Sequence, residues 1–363
     1  MMYQLATQLY QQKDWTNNMA YTTINKSTDY FNTKLYTGNG STQTISSVGF
    51  QPDWVWTKQR SGTEHHNLND AVRGATKVIF PNLTNAEQTV SNLITGFVSD
   101  GFSVADNAGA NNNGSTYVSW NWKANGQGSS NTDGTINSTY TSANTTSGFS
   151  IVTYTGTGSA GTVGHGLGTT PSMVWIFNRT DGGNGHVFHK ALGSTQYLLH
   201  ASTLGVQTYA PVGIGSLTSS TFSVGTVGGV NGSGKNYVAY VFSERKGFSS
   251  INSYTGNGNA DGTFVYTGFA PKFVLLKITS GSDGWWLVDD KQANPYPNPN
   301  VQMLVANTNA GDNTSVSPFI DIYSNGFKLK STWSGVNGSG STYIYMSFGQ
   351  SIVGSNNIPC TAR

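Results

Sequence analysis

Short stretches in which apolar and polar residues alternate recur along the chain. The clearest stretch is Tyr117-Val118-Ser119-Trp120-Asn121-Trp122, and similar stretches occupy 237–242 and 343–348. Trp120 and Trp122 are two positions apart, so their side chains fall on the same face of a strand. A period of two, together with many aromatic and β-branched residues, predicts β-strands rather than helices.

Four sequence elements occur in the same order three times, which indicates an internal repeat. Each copy opens with Tyr-Thr-Gly-x-Gly, at 36–40, 154–158 and 254–258. An apolar strand entered through a proline comes next, and then a strand that begins around a phenylalanine. An Asn-Gly-Ser turn followed by an aromatic strand closes each copy. The prolines are Pro52, Pro171 and Pro271, and the phenylalanines are Phe102, Phe222 and Phe327.

The repeated unit has the features of a β-sandwich. Proline is tolerated at the entrance of a strand, and Asn-Gly pairs supply the positive φ angles of tight turns. A unit of roughly 100 residues with several short strands and frequent turns is typical of sandwich folds. The sequence therefore predicts an all-β protein with three tandem β-sandwich domains of one family, of the jelly-roll or lectin-like type.

The repeats divide the chain into five predicted regions. The stretch 126–147 is predicted to be either a linker or a hairpin through Ile136 and Tyr140 that opens the second domain. The regions are an N-terminal extension or anchor at 1–28, the repeats at 29–125, 126–246 and 247–353, and a C-terminal tail at 354–363.

Composition narrows the range of partners. Only 10% of the residues are charged, against about 25% in a typical soluble domain. Such a surface is covered by Ser, Thr, Asn, Gln and Gly, as in many extracellular and virion β-proteins. The formal net charge is +2 and no run of Lys and Arg occurs. Nucleic acid is therefore not expected as a partner, because phosphate binding needs a concentrated basic surface.

The number of cysteines and the hydropathy of the chain argue against disulfides, cysteine-based metal sites and membrane insertion. Cys360 is the single cysteine, so neither an internal disulfide nor a cysteine-based metal site is expected. No stretch of about 18 apolar residues is present, and we expect no membrane insertion. Residues 1–20 lack the apolar centre of a signal peptide. An unsecreted protein with this surface chemistry fits a virus that is released by lysis.

Few residues are candidates for catalysis. Asp289-Asp290 is the best acid pair for a glycan depolymerase, but it occurs in one copy only, and a surface turn or a local pair with Lys291 is the alternative. Asp70 and Arg73 are expected to form a structural ion pair or turn cap. Adjacent side chains on a strand point to opposite faces, so His65-His66 predicts no metal site. We expect no catalytic residue, no metal and no cofactor.

Aromatic residues of the third copy are the candidates for ligand binding. Sugar rings stack on exposed indole and phenol rings, and one side chain of a Trp-Trp pair on a strand should point outward. The candidates are Trp285, Trp286, Tyr296 and Trp333, of which Tyr296 lies in a proline-rich insertion. The alternative is that these rings pack under long loops or at a subunit contact.

Several stretches of the chain resemble a known group of proteins. The stretch 19–26, followed by Asp29-Tyr30-Phe31-Asn32-Thr33-Lys34, resembles the start of structural proteins of marine and cyanobacterial phages. The stretches at 148–156 with 164–168, and Asp70-Ala71-Val72-Arg73-Gly74, look like the repeating domain of that group. Relatives often begin at the equivalent of Met19, so residues 1–18 are either an added anchor or an upstream start.

The resemblance implies a virion structural protein. The expected function is that of a tail fibre, a tail-associated protein or a protein that binds host-surface glycans. Capsid decoration, as a cement or head fibre protein, is the alternative, and a glycan depolymerase is an alternative of another class. The expected partners are other virion proteins, a host-surface glycan and further copies of the chain. A homotrimer is favoured, although three domains in one chain could also build a pseudo-symmetric unit.

Overall fold

The computed structural model describes residues 21–292, 298, 302–313 and 319–354. Most of the predicted N-terminal extension and C-terminal tail therefore lies outside the described residues. The protein is all-β, with 43% strand and 6% helix, and its strands form several separate sheets. Among the described residues, no helix is both long and apolar enough to cross a membrane.

We use first, second and third segment for 29–125, 126–246 and 247–353. The first segment holds one helical turn, α1, and nine strands. They are β1 (Phe31–Thr37), β2 (Gln43–Ile45), β3 (Trp54–Gln59), β4 (Asn67–Asp70), β5 (Lys77–Val78), β6 (Gln88–Thr89), β7 (Ile94–Val98), β8 (Gly101–Val104), α1 (Ala108–Asn111) and β9 (Thr116–Trp122), after a 3₁₀ turn at Ser27–Asp29.

The second segment begins with a hairpin that has no counterpart among the described residues of the other two. Its elements are β10 (Ser129–Asn131), β11 (Ser138–Asn144), β12 (Phe149–Thr155), β13 (Gly161–Gly164), β14 (Met173–Asn178), β15 (His186–His189), β16 (Gln196–Leu199), β17 (Gln207–Thr208), a 3₁₀ turn at Ala210–Val212, β18 (Thr221–Val224), α2 (Gly228–Asn231) and β19 (Asn236–Phe242). Strand β11 of the hairpin pairs with the outer edge of β12.

The third segment repeats the pattern without the hairpin. Its elements are β20 (Ser249–Thr255), β21 (Phe264–Tyr266), β22 (Ala270–Ile278), β23 (Trp285–Asp289), β24 (Leu304–Val305), β25 (Ile320–Tyr323), β26 (Gly326–Leu329), α3 (Ser334–Asn337) and β27 (Thr342–Gln350).

The same antiparallel strand order appears in the larger sheet of every segment. The orders are β1-β9-β3-β4, β12-β19-β14-β15 and β20-β27-β22-β23. The register agrees as well, because Trp54 pairs with Asp70, Met173 with His189 and Phe273 with Asp289. These three pairs therefore identify equivalent positions.

A smaller sheet covers one face of each larger sheet. The smaller sheets are β2-β8-β7, β13-β18 and β21-β26-β25. A separate hydrophobic cluster lies between the two sheets of each segment. In the third segment, for example, Val274 and Leu276 of β22 share a cluster with Val265 and Phe327 of the smaller sheet.

The opposite faces of the three larger sheets meet in one hydrophobic cluster, which we call the shared core. It contains buried residues of every segment, and its rings contact one another across segment boundaries, as Trp54 stacks on Tyr240 at 4.5 Å. Its large members include Trp54, Trp56, Trp120 and Trp122 of the first segment, Phe149, Trp175, Tyr240 and Phe242 of the second, and Phe273, Trp285 and Phe348 of the third. The larger sheets are thus buried on both faces.

Polar contacts join the segments in a cyclic order around the shared core. Tyr240 Oη donates to Asp70 Oδ2 over 2.8 Å, and Trp120 Nε1 donates to Asp289 Oδ2 over 2.9 Å. His189 Nε2 lies 3.4 Å from the carbonyl oxygen of Tyr345. Each of the three equivalent polar residues, at 70, 189 and 289, therefore contacts the central strand of the next larger sheet.

Candidate functional site

The two adjacent tryptophans proposed as ligand contacts are both buried. Trp285 is 1% exposed and Trp286 is 7% exposed. Trp285 belongs to the shared core and donates its indole N–H to the carbonyl oxygen of Leu199 over 3.1 Å. Trp286 faces the smaller sheet, and its indole N–H donates to Asp283 Oδ1 over 3.1 Å. The expectation of an outward ring is wrong, because both faces of this strand are covered.

The other two aromatic candidates do not join them in a surface platform. Trp333 is partly buried against the third segment's cluster, with its ring centroid 4.4 Å from that of Trp286 in an edge-to-face contact. Tyr296 lies outside the described residues.

The two carboxylates of Asp289-Asp290 point to different surroundings. Asp289 is fully buried and accepts hydrogen bonds from Trp120 Nε1 and from the backbone N–H groups of Lys291 and Gln292. Burial, and then the nearby charge of Asp290, raise the pKa of Asp289 to about 7. Asp290 instead lies 3.3 Å from Lys272 Nζ. The expected partner Lys291 donates its ammonium group to the carbonyl oxygen of Thr33. This arrangement offers no support for a general acid and base working on one substrate bond.

Asp70 and Arg73 form a buried ion pair of 2.5 Å, and both side chains are fully shielded from solvent. The guanidinium also binds Glu87 Oε2 at 2.9 Å, and Arg179 of the second segment binds the same carboxylate at 2.8 Å. Tyr240 completes the network, since its hydroxyl lies within hydrogen-bond distance of both Asp70 and Arg73. The pair therefore connects the first two segments, which the sequence did not reveal.

The adjacent histidines hold structural contacts. His66 Nδ1 accepts a hydrogen bond from Trp56 Nε1 over 2.9 Å, and His65 Nδ1 lies 2.8 Å from Asn82 Nδ2. Burial holds the pKa of His66 well below its usual value, which favours the neutral ring. Within the described part of the chain, no group of three or more His, Cys, Asp or Glu side chains could hold a metal ion.

Exposed aromatic rings instead gather on the outer face of the third segment's smaller sheet. We call Phe264, Tyr266 and Tyr323 the aromatic face; they are 44%, 62% and 42% exposed. The rings of Phe264 and Tyr323 contact each other edge to face at 5.9 Å. Val265, between the first two residues, points into the cluster between the sheets. The period of two thus places Phe264 and Tyr266 outward together.

Tyr21 supports one end of the aromatic face. Its hydroxyl donates to the carbonyl oxygen of Gly268 over 2.7 Å, directly after β21. Burial and a hydrogen bond with Tyr266 raise the pKa of Tyr21 to about 12. Lys246 Nζ lies 4.5 Å from the centroid of the Tyr21 ring.

Equivalent positions in the other two segments carry no aromatic ring. Phe264 pairs with Lys328, whereas the equivalent pairs are Thr44 with Ser103 and Thr162 with Ser223. Tyr266 follows Val265, whose equivalents are Val163 and Ile45, so it corresponds to Gly164 in the second segment and to Ser46 in the first. Tyr323 corresponds to Val98 of the first segment. The aromatic face is therefore a property of the third segment and not of the repeat.

Charged groups border the aromatic face in pairs. Lys328 Nζ lies 2.5 Å from Asp261 Oδ1, and Lys330 Nζ lies 3.9 Å from Asp321 Oδ2. Rings flanked by hydrogen-bonding groups can bind a ligand that has both an apolar surface and hydroxyls. Only a weak signal in the sequence points to this site, since Phe264-Val265-Tyr266 alternates as the core strands do.

The comparisons with known proteins identify a family and no activity. No curated protein matches the chain. A family model described as Domain of unknown function (DUF7483) matches residues 26–351, which include the first two segments, the third segment up to residue 351, and the aromatic face. The chain therefore belongs to the DUF7483 family.

Proposed function

We propose that the chain is a bacteriophage virion structural protein, built from three copies of one β-sandwich, that binds host-surface glycans at the phage tail. Its resemblance to phage structural proteins supports the location, and the repeated strand order and register support the three copies. A surface with few charges suits contact with uncharged, hydroxyl-rich polymers.

The observation that carries the binding role is the aromatic face. Three exposed rings lie together where the other segments have Thr, Ser, Gly or Val. Exposed aromatic clusters of this kind mark interaction surfaces, because leaving such rings in water is unfavourable. The C–H groups of a sugar ring pack on an aromatic ring, and the tyrosine hydroxyls and border charges provide hydrogen bonds to its hydroxyls.

The test replaces the aromatic face by the residues that occupy the equivalent positions of the first segment. A triple variant, Phe264→Thr, Tyr266→Ser and Tyr323→Val, installs residues that the first segment carries at these positions. We expect binding to an array of bacterial envelope polysaccharides, and to host cells, to fall at least about tenfold. Tyr209→Ser is the matched control, since Tyr209 is 52% exposed in the second segment. Equal binding by the triple variant and the wild type would contradict the proposal.

Capsid decoration is the second candidate, and the same face favours it. Aromatic residues are enriched at protein interfaces as well as at sugar sites. Binding of the wild type to empty capsids, lost in the triple variant and without any polysaccharide binding, would establish decoration in place of glycan attachment.

The proposal includes assembly of the chain into a homotrimer. One aromatic face per chain gives a single weak site, and three linked sites gain avidity. Light scattering on the purified protein measures its mass, and three times the chain mass of 38.7 kDa is the expected value. A mass equal to that of one chain would contradict trimer formation while leaving the binding site intact.

A further inference from the structure

A cavity of about 690 Å³ lies beside the aromatic face. Residues 25–28 form one wall, and Pro271, Lys272, Tyr323 and Ile352 contribute to the others. The wall is fixed by Gln350, whose Oε1 accepts from the Ser27 N–H over 2.7 Å and whose Nε2 donates to the Asn25 carbonyl over 3.1 Å. Sites for small ligands typically have volumes of about 300–1,000 Å³, so the cavity has a suitable size.

Tyr323 belongs both to the cavity lining and to the aromatic face. Pro271, Ile322 and Ile352 add apolar surface on the cavity side. A glycan that lies across Phe264 and Tyr323 can therefore continue into the cavity without leaving the protein surface.

Two polar atoms of the cavity lining lack a hydrogen-bond partner among the described residues. They are Asp290 Oδ1 and Ser27 Oγ, and both atoms are shielded from solvent. Ser27 as a whole is 1% exposed. Buried oxygen atoms are rarely left unpaired in folded proteins. Because both residues line the cavity, rotation of their side chains turns Asp290 Oδ1 toward a ligand hydroxyl that donates to it, and Ser27 Oγ toward a second hydroxyl.

The charges around the cavity balance one another. Lys272 Nζ lies 3.3 Å from Asp290 Oδ2, and Lys26 Nζ lies 3.0 Å from Asp29 Oδ1. Neither ammonium group is left with an uncompensated charge for an acidic ligand. Apolar walls, hydroxyl-binding oxygens and balanced charge match a neutral, polyhydroxylated ring.

We infer that this cavity binds one neutral sugar unit, a hexose or N-acetylhexosamine, of the glycan that crosses the aromatic face. The inference rests on the proposed glycan binding and specifies the class of sugar. Asp290 and Ser27 bind hydroxyls, and Tyr323 and Ile352 contact the apolar side of the ring.

The test measures binding of single sugars to the full chain by saturation-transfer NMR and calorimetry. The probes are the methyl glycosides of glucose, galactose, mannose and N-acetylglucosamine, with that of glucuronic acid as the acidic comparison. At least one neutral glycoside should bind, and Asp290→Ala should weaken it about tenfold. Ile352→Ser should weaken it too, and because Ile352 is 40% exposed this variant keeps the fold. Asp181→Ala, which removes the surface ion pair with Lys235, is the matched control.

The outcomes separate this inference from the proposed function. Tyr266→Ser should reduce polysaccharide binding and leave single-sugar binding unchanged, because Tyr266 does not line the cavity. If polysaccharides bind but no neutral glycoside does, or if the glucuronide binds best, the cavity inference is overturned and the proposed function stands. If a neutral glycoside binds in the cavity while no polysaccharide or cell surface is bound, the assignment of a neutral sugar to the cavity stands, whereas the proposed function falls and with it the glycan across the aromatic face.

Discussion

Three buried asparagines fill the same structural role at equivalent positions of the three segments. Asn231 is fully buried, accepts from the Thr157 N–H over 2.8 Å, and donates to the carbonyl oxygens of Ser159 and Gly225. Asn111 and Asn337 make the corresponding contacts with the opening turns of their own segments. The Asn-Gly-Ser turns seen in the sequence thus begin at, or shortly after, a side chain that anchors the Tyr-Thr-Gly loop.

We predict that Asn231→Ala destabilises the protein by about 3 kcal/mol, because it leaves several buried backbone groups without partners. Urea unfolding followed by circular dichroism measures the change. Asn236→Ala, at an exposed position of the same segment, is the control and should stay within about 0.5 kcal/mol of the wild type. A loss at Asn231 no larger than that at Asn236 would show that the anchoring role is wrong.

Asp289 makes stability depend on pH in a direction unusual for a carboxylate. Its pKa is raised from 3.8 to about 7 by burial, so the folded protein holds this proton over a range in which the unfolded chain has released it. The contribution to stability is therefore present at low pH and is lost as the pH rises from about 4 to about 7. We predict that the wild type loses up to about 4 kcal/mol through this group, whereas Asp289→Asn does not.

The measured quantity is the difference in unfolding free energy between wild type and Asp289→Asn, determined at several pH values. Burial lowers the pKa of His189 and His200 to about 3, and these residues destabilise the fold as the pH falls below about 6.5. Both proteins share them, so their effect cancels in the difference. A difference that stays constant between pH 4 and pH 7 would rule out the buried, protonated carboxyl.

At the scale of strands, the sequence predicted where the strands lie, but it did not predict which of their faces are buried. The aromatic strands β9, β19 and β27 lie where the alternation placed them, and each pairs with a proline-entered strand. The pattern failed for Trp285 and Trp286, because alternation shows two faces of a strand but not how many of them are covered. The same limit hid Phe264 and Tyr266, which are exposed because none of the described residues forms a layer over that face of the smaller sheet.

The hairpin of β10 and β11 explains why one position of the edge strand is apolar in the second segment and polar in the other two. Val152 of β12 is fully buried, and Ile136 of the hairpin connection lies in the same cluster. The equivalent residues are Lys34 in β1 and Asn252 in β20, and no described strand pairs with the outer edge of either. A polar residue thus occupies this position wherever the sheet edge is open, as expected for a strand edge in water.

We predict that the effect of a substitution at position 152 on the unfolding free energy depends strongly on whether the hairpin is present. Val152→Lys in the intact chain buries a charge and should reduce stability by about 3 kcal/mol or more. In a variant with residues 129–144 replaced by a short Gly-Ser linker, the same substitution should be neutral and should reduce aggregation. A double-mutant cycle on unfolding free energies tests this. Additive effects would show that the hairpin does not shield this position.

At the scale of the whole molecule, the interior differs from that of three independent domains. Each segment has its own cluster between its two sheets, but six of the seven buried tryptophans among the described residues lie in the shared core, and Trp286 is the exception. The cyclic contacts made by Asp70, His189 and Asp289 lie at the boundaries between segments. In the described part of the chain, a surface that differs between the segments thus surrounds a core in which the three larger sheets contact one another in cyclic order.

This arrangement predicts that no single segment folds alone. In an isolated peptide of residues 29–125, Trp54, Trp56, Trp120 and Trp122 would lose the rings of Phe149, Tyr240 and Phe273 that now cover them. Exposure of that much aromatic surface outweighs the small net stability of a domain of this size. We expect the peptide to show no cooperative thermal transition, and its tryptophan emission to resemble that of the urea-unfolded chain. The full chain should unfold in one transition reported equally by fluorescence and circular dichroism. A cooperatively folded peptide, or three separate transitions in the full chain, would instead mean that the shared core is a contact surface between three autonomous domains.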